Sequence, residues 1–150
     1  MNRDFVEMLC ALSDVDAEFI IVGAHALAAH GIPRATGDLD IWVRPSPENA
    51  TRILLALAKF GAPLLDLSHD DLMRPGTVFQ IGLVPSRIDI LTSISGVAWD
   101  QAWPRRLRIQ IEGMEIAVLG KEDLITNKRA TGRPRDLADL ALLSQSEDKE

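Results

Sequence analysis

Cysteine is nearly absent from this chain of 150 residues: Cys10 is its only one, so no internal disulfide can form and no CxxC pair or cysteine zinc cluster can be assembled. As a lone thiol it is expected to be a buried apolar side chain. Long apolar runs are lacking as well. Nothing approaches the roughly 20 residues that a membrane helix needs, and the opening MNRDFVEMLC has neither the basic start nor the apolar core of a secretory signal. A cytoplasmic protein with no membrane partner is expected. A surplus of positive charge is also missing, since the net charge is −6, which excludes a protein that coats nucleic acid by neutralising phosphates. Repeats, low-complexity tracts and linkers are not found, so residues 1–150 read as one domain with a frayed acidic tail at about 144–150.

The charge that is present is segregated. Between Pro104 and Arg135 there are eight basic residues (Arg105, Arg106, Arg108, Lys121, Lys128, Arg129, Arg133 and Arg135) against Glu112, Glu115, Glu122 and Asp123, a net of +4 that leaves about −10 for the rest. This segment is either a solvated basic face or a surface for phosphate or an RNA acceptor.

Hydrophobic periodicity divides the chain into short elements. Phe5, Met8, Leu9 and Leu12 mark an amphipathic helix ending near residues 13–16. Phe19 to Val22 is wholly apolar and reads as a strand buried on both faces, broken by Gly23. An alanine-rich helix over Ala24 to His30 closes on Gly31. Asp38 to Val43 alternates as a half-buried strand, with Leu39, Ile41 and Val43 on one face and Asp38, Asp40 and Trp42 on the other. Pro47 to Phe60 is the second long helix, ended by Gly61. Thr77 to Leu83 and Arg87 to Leu91 form a hairpin joined by Val84-Pro85-Ser86 and carry Asp89 on the second arm. Arg106 to Gln110 and Glu115 to Val118 pair around Glu112-Gly113. Two helices, Lys121 to Ala130 and Pro134 to Leu143, flank Gly132.

Two aspartates at i and i+2 on a strand point the same way with Cα atoms about 6.6 Å apart, so both can reach one or two ions between them. Without a cation their like charges repel and at least one holds its proton more tightly. All-oxygen ligation suits Mg2+ or Mn2+, and Asp89 would supply a third carboxylate from a second strand. The glycine after the buried strand would let backbone amides approach a phosphate. Metal and phosphate subsites are thus expected side by side.

These residues carry a family resemblance. Ile21-Val22-Gly23-Ala24 followed by Arg34-Ala35-Thr36-Gly37-Asp38-Leu39-Asp40-Ile41 resembles the hG[G/S]…Dx[D/E]h signature of the DNA polymerase β-like nucleotidyltransferase superfamily. Asp89 in Arg87-Ile88-Asp89-Ile90-Leu91 resembles its third acidic strand residue. Lys121 through Lys128 to Arg133-Pro134-Arg135-Asp136-Leu137-Ala138-Asp139-Leu140 is similar to the terminal Lys and Arg-x-x-Asp region of minimal nucleotidyltransferases and of abortive-infection toxin nucleotidyltransferases. The resemblance implies an α/β (α+β) nucleotidyltransferase fold, a mixed and mostly antiparallel sheet flanked by helices with a C-terminal helical hairpin. It implies that Asp38 and Asp40 hold two Mg2+ (or Mn2+) ions, that Asp89 completes one shell, and that Gly23 admits a nucleoside triphosphate. Two ions would serve an in-line displacement at the α-phosphorus that releases pyrophosphate.

Nucleotide contacts are expected from Gly23, Ala24, Arg34, Thr36 and Lys128, with Asp38, Asp40, Asp89 and Lys128 as the catalytic set. Ala24 stands where the family commonly has Gly or Ser, so a hydroxyl toward the triphosphate is absent. Lys128 is either a phosphate ligand or a surface lysine, and Asp136 or Asp139 is expected to pair with Lys128 or Arg133. His25 and His30 lie five apart, unsuited to sharing one metal on a helix face. His25 reads as a helix-surface residue or one near a phosphate or base. Trp42 reads as nucleobase support or apolar cover, and Trp99 with Trp103 as core or a docking patch. The leading expectation is nucleotidyl transfer to an RNA, protein or small-molecule acceptor within a toxin–antitoxin or phage-defence system, with a cognate toxin or antitoxin protein or a second copy as partner. The alternatives are a nucleotide- or protein-binding module that retains the acids without turnover, and metal-dependent phosphodiester hydrolysis.

Overall fold

The computed structural model describes residues 1–33, 37–64, 66–83 and 86–148, with side chains described to residue 145. Helix α1 (Arg3–Asp14) begins where the Asn2 side chain accepts a hydrogen bond from the Asp4 backbone N–H, satisfying an otherwise orphaned donor. Its buried stripe of Phe5, Met8, Leu9 and Leu12 is the one the periodicity gives. Cys10, expected inside, is exposed. It falls on the opposite side of the helix with Arg3, Glu7 and Asp14, where a 100° step per residue carries it away from the core.

Strand β1 (Phe19–Val22) is buried throughout, and the topology explains this. The six-stranded sheet has the order β3-β4-β2-β1-β6-β5, with β2 (Leu39–Val43), β3 (Val78–Ile81), β4 (Ile88–Leu91), β5 (Leu107–Ile111) and β6 (Met114–Val118), so β1 is central. It pairs antiparallel with β2 and parallel with β6. β2 pairs parallel with β4, while β3–β4 and β5–β6 are antiparallel. The sheet is therefore mixed and mostly antiparallel. The β5–β6 turn runs through Glu112 and Gly113 with φ of 45° and 81°, a two-residue loop of the kind whose twist matches that of paired strands.

Between β1 and β2 lies α2 (Gly23–Ala29). Helix α3 (Pro47–Phe60) follows β2, started by Ser46, which accepts from the Asn49 N–H, and stopped by Gly61 at φ 94°. α1 and α3 pack on each other and send Met8, Leu12, Ile53 and Leu57 into the same apolar core as Ile21, Ile41 and Ile90 of the sheet. A short helix α4 (Trp99–Ala102) runs into a 3-10 turn over Trp103–Arg105, elements that the periodicity does not reveal. The helical hairpin α5 (Lys121–Thr131) and α6 (Pro134–Asp148) turns at Gly132, φ 62°. α6 continues to Asp148, where the sequence reading had a frayed tail from residue 144. Among the described residues, no helix is long and apolar enough to cross a membrane.

Trp42 settles one alternative. It is 2% exposed and meets Trp99 edge-on at 5.0 Å, Trp99 stacks on Trp103 at 5.3 Å, and the Arg106 guanidinium lies 3.8 Å from the Trp103 ring centroid. Trp42 is apolar core and cannot support a nucleobase, because α4 covers the end of the face it shares with the aspartates. Trp42→Ala should therefore destabilise the fold by about 3–5 kcal/mol, as for other buried aromatic truncations. Urea denaturation followed by circular dichroism measures this.

Candidate functional site

The sheet register assembles the acids. Val22, the last residue of β1, pairs with Asp40, and Asp40 pairs with Asp89 across the parallel β2–β4 ladder. Paired residues on adjacent strands share a face, so both carboxylates project from one row, and Asp38 projects two residues before Asp40 on the same side. Asp89 is 7% exposed, whereas Asp38 and Asp40 are half-buried.

Three carboxylates so placed perturb one another. The Asp40 carboxyl is pushed up to about 6, first by burial, then by the charge of Asp89, a hydrogen bond shared with it and the charge of Asp38, with Arg87 pulling the other way. A raised carboxyl is one whose charged form the fold disfavours. Arg87 supplies the nearest compensation. Its Nε and Nη2 donate to the two Asp89 oxygens at 2.8 and 3.2 Å, its Nη2 lies 3.4 Å from Asp38 Oδ2, and its backbone N–H donates to Asp38 Oδ1 at 3.3 Å. Motif reading passed over Arg87. The available signal was its place two residues before Asp89, on the same face of the strand.

Gly23 has a more specific role than the sequence suggested. It sits at φ +70°, and a Cβ there would lie inside the van der Waals envelope of Asp40 Oδ2. The absence of a side chain thus lets the Asp40 carboxylate rest against the backbone at the end of β1. Ala24, beside it, is half-buried.

The hairpin α5–α6 closes the other side. Lys128 is 7% exposed, and its Nζ lies 3.3 Å from Asp136 Oδ1 and 3.1 Å from Asp139 Oδ2. Burial draws its ammonium below the ordinary value, against the upward pull of Asp136. It is not a surface lysine. Asp136 is fully buried and accepts from Lys128, from Thr131 Oγ1 at 2.7 Å and from Arg133 Nε at 2.8 Å and its backbone N–H at 3.1 Å. Burial raises the Asp136 carboxyl, but these donors outweigh it and hold the group well below the usual carboxylate range. The expected pairing of Lys128 and Arg133 with aspartates is thus present, with Asp136 serving both.

Gly23, Ala24, Asp38, Asp40, Asp89 and Lys128 all line one cavity of about 460 Å³, together with Arg87, Arg133, Arg135 and Asp139. Arg34 and Thr36 lie outside the described residues. The basic segment is not one surface. Arg133 and Arg135 reach this cavity, whereas Arg106 and Arg108 line a separate cleft beside Trp103. His25 is neither a surface residue nor part of the cavity lining: it meets Phe5 edge-on at 5.6 Å, and burial pushes its imidazole down. His30 Nε2 lies 2.7 Å from the Leu119 carbonyl oxygen.

The donor chemistry suits a hard divalent cation: three carboxylates and no sulfur or imidazole. Among the described residues, no three His, Cys, Asp or Glu side chains enclose an ion as they lie, and the guanidinium of Arg87 bridges Asp89 and Asp38. That guanidinium is the cation these carboxylates hold.

A candidate nucleotidyltransferase of Thermotoga maritima, known from its crystal structure, superposes over 100% of this chain and 97% of its own with a TM-score of 0.56 at 16% sequence identity. This is a nucleotidyltransferase fold. No family model matches the sequence, and no curated protein matches it. The likeness is one of architecture, and the chemistry rests on the site.

Two outcomes follow. Gly23→Ala should lower stability by about 1–3 kcal/mol, the cost of a side chain in left-handed backbone, and should displace Asp40, read as a change in the Asp40 carboxyl resonance by nuclear magnetic resonance. Asp136→Asn should cost about 3 kcal/mol at neutral pH, because Lys128 and Arg133 lose their shared counter-charge in a buried setting. A depressed carboxyl contributes stability above its unfolded value and loses it as pH falls, so the gap between wild type and Asp136→Asn should begin to close below about pH 4. Urea titrations at several pH values test this.

Proposed function

We propose that the protein is a nucleotidyltransferase that moves a nucleoside monophosphate from a nucleoside triphosphate to an acceptor hydroxyl and releases pyrophosphate. The observation that carries this reading is the row Val22, Asp40, Asp89 with Asp38 beside it, facing a wall of cations in one cavity. Asp38, Asp40 and Asp89 would hold divalent metal, Mg2+ or Mn2+, whose chemistry when bound is to neutralise charge on the transferring phosphoryl oxygens.

The chain's own residues do the rest. Gly23 keeps the wall of the cavity low enough for Asp40 to lie against it. Asp89, the most buried of the three acids, would complete one ion's shell beside the acceptor hydroxyl. Arg133 and Arg135 at the α5–α6 turn offer positive charge to the triphosphate. Lys128 contributes less directly than a free lysine, since Asp136 and Asp139 already neutralise it; it fixes α6 and the two arginines at the rim. Catalysis on this plan is positioning and charge stabilisation.

A second reading has its own support. Ala24 offers no hydroxyl, Lys128 is committed to aspartates and Arg87 covers the acids, so a nucleotide-binding module without turnover uses the same residues. Incubation with each labelled nucleoside triphosphate, Mg2+ and a host extract separates the two. Transfer of label to an RNA, a protein or a small molecule, lost in Asp40→Asn, supports the enzyme; binding with no transfer to any acceptor overturns it. Under either reading, Mg2+ with triphosphate at a hundred times its dissociation constant should stabilise the fold by about 2.7 kcal/mol in a thermal shift.

A further inference from the structure

We propose that Arg87 is the resident counter-cation of the acid cluster, a positioning residue that a divalent ion must displace from Asp89 and Asp38 before those carboxylates can hold it. The inference rests on the metal-binding part of the reading above and adds to it the order of events at the site.

Three observations carry it. First, the guanidinium engages both oxygens of Asp89, at 2.8 and 3.2 Å, in the forked geometry that a planar guanidinium and a carboxylate share. These are the oxygens that an ion would need, so the guanidinium and the ion compete for Asp89. Second, the same Nη2 lies 3.4 Å from Asp38 Oδ2, so a single side chain spans the acids of two strands. Third, the backbone of Arg87 is fixed while its side chain can turn. The Leu39 N–H donates to the Arg87 carbonyl at 2.9 Å, which ties this residue to the start of β2, yet the side chain is 29% exposed against 10% for Asp89. Rotation about the side-chain torsions therefore releases the guanidinium without moving either strand.

The direction of release matters. Arg87 lines the same cavity as Arg133 and Arg135, so a withdrawn guanidinium joins their positive field instead of leaving the site. A polyanion there would hold Arg87 away from the acids just when a divalent ion needs them. Metal alone should bind weakly, because it competes with an internal cation two residues from Asp89 on the same strand edge. Removing that competitor should strengthen it.

Mn2+ binding to the intact chain, counted by the loss of the free-ion electron paramagnetic resonance signal, tests the point without any acceptor or nucleotide. Arg87→Met should bind Mn2+ about five- to tenfold more tightly than wild type, the range expected when a partly exposed forked ion pair no longer competes. Arg87→Lys, which keeps the charge and loses the fork, should fall between them. In thermal melts the metal-free Arg87→Met protein should be less stable than wild type and should gain more from Mn2+. Equal or weaker Mn2+ binding by a folded Arg87→Met or Arg87→Lys protein overturns the role of Arg87 while leaving the metal site standing. If neither wild type nor variants bind Mn2+, the inference falls together with the metal-binding reading beneath it.

Discussion

Like-charge repulsion between carboxylates at one corner of the sheet is the constraint around which this protein is arranged. Backbone pairing alone brings Asp40 and Asp89 side by side, since the β2–β4 register that aligns Ile41 with Ile90 in the core aligns the two acids one residue earlier. A shift of register by one residue would move the aspartates to the apolar face and the isoleucines into the cavity. The hydrophobic core therefore enforces the repulsion, and the fold must offset it by other means. Arg87 offsets part of it from the same strand, and the Asp40 carboxyl stays raised, first by burial and then by the charges of Asp89 and Asp38.

The opposite wall is held by a second electrostatic device of different character. Asp136 gathers Lys128, Thr131 and Arg133 around one buried carboxylate, which ties the end of α5 to the start of α6 across the Gly132 turn. A buried ion cluster of this kind gives little net stability over an apolar replacement, but its geometry is specific. Here the specificity fixes where Arg133 and Arg135 stand relative to the acids. Leu124 and Leu143 bury the hairpin against the core, whereas Leu137 and Leu142 are exposed.

Much of this was legible in the sequence, for physical reasons that differ by element. β1 was readable because a central strand must be apolar on both faces, and β2 because one face is core and the other carries the acids. The helices α1 and α3 announced themselves through caps and stripes. α4 did not, because four residues are too few to show a period, and its tryptophans carry the packing instead. Apolar cover was one of the two readings open for Trp42, and the packing of α4 decides for it. Cys10 was misplaced because a residue-type tendency was applied where the helical phase of α1 decides. Among the site residues, Asp38 and Asp40 were singled out by their spacing and Asp89 by the resemblance of its strand, while Arg87 was missed because no motif names it and its role depends on a cross-strand neighbour, Asp38.

Sharing a fold with a nucleotidyltransferase leaves the activity to be argued from charge. The cavity sets four carboxylates, Asp38, Asp40, Asp89 and Asp139, against four cations, Arg87, Lys128, Arg133 and Arg135. These are not interchangeable. Lys128 is spent on Asp136 and Asp139, Arg87 on Asp89 and Asp38, and Arg133 shares Asp136, so the positive charge left for a ligand lies with Arg135 and the exposed part of Arg133. A bare triphosphate would meet those arginines and, beyond them, carboxylates that repel it. A triphosphate that arrives with its divalent cation presents both signs, polyanion to the rim and cation to the acids. On the proposed reading the arrangement would select the metal-bound nucleotide over its parts, through the placement of charge on two walls, one set by strand register and the other by the buried carboxylate of Asp136.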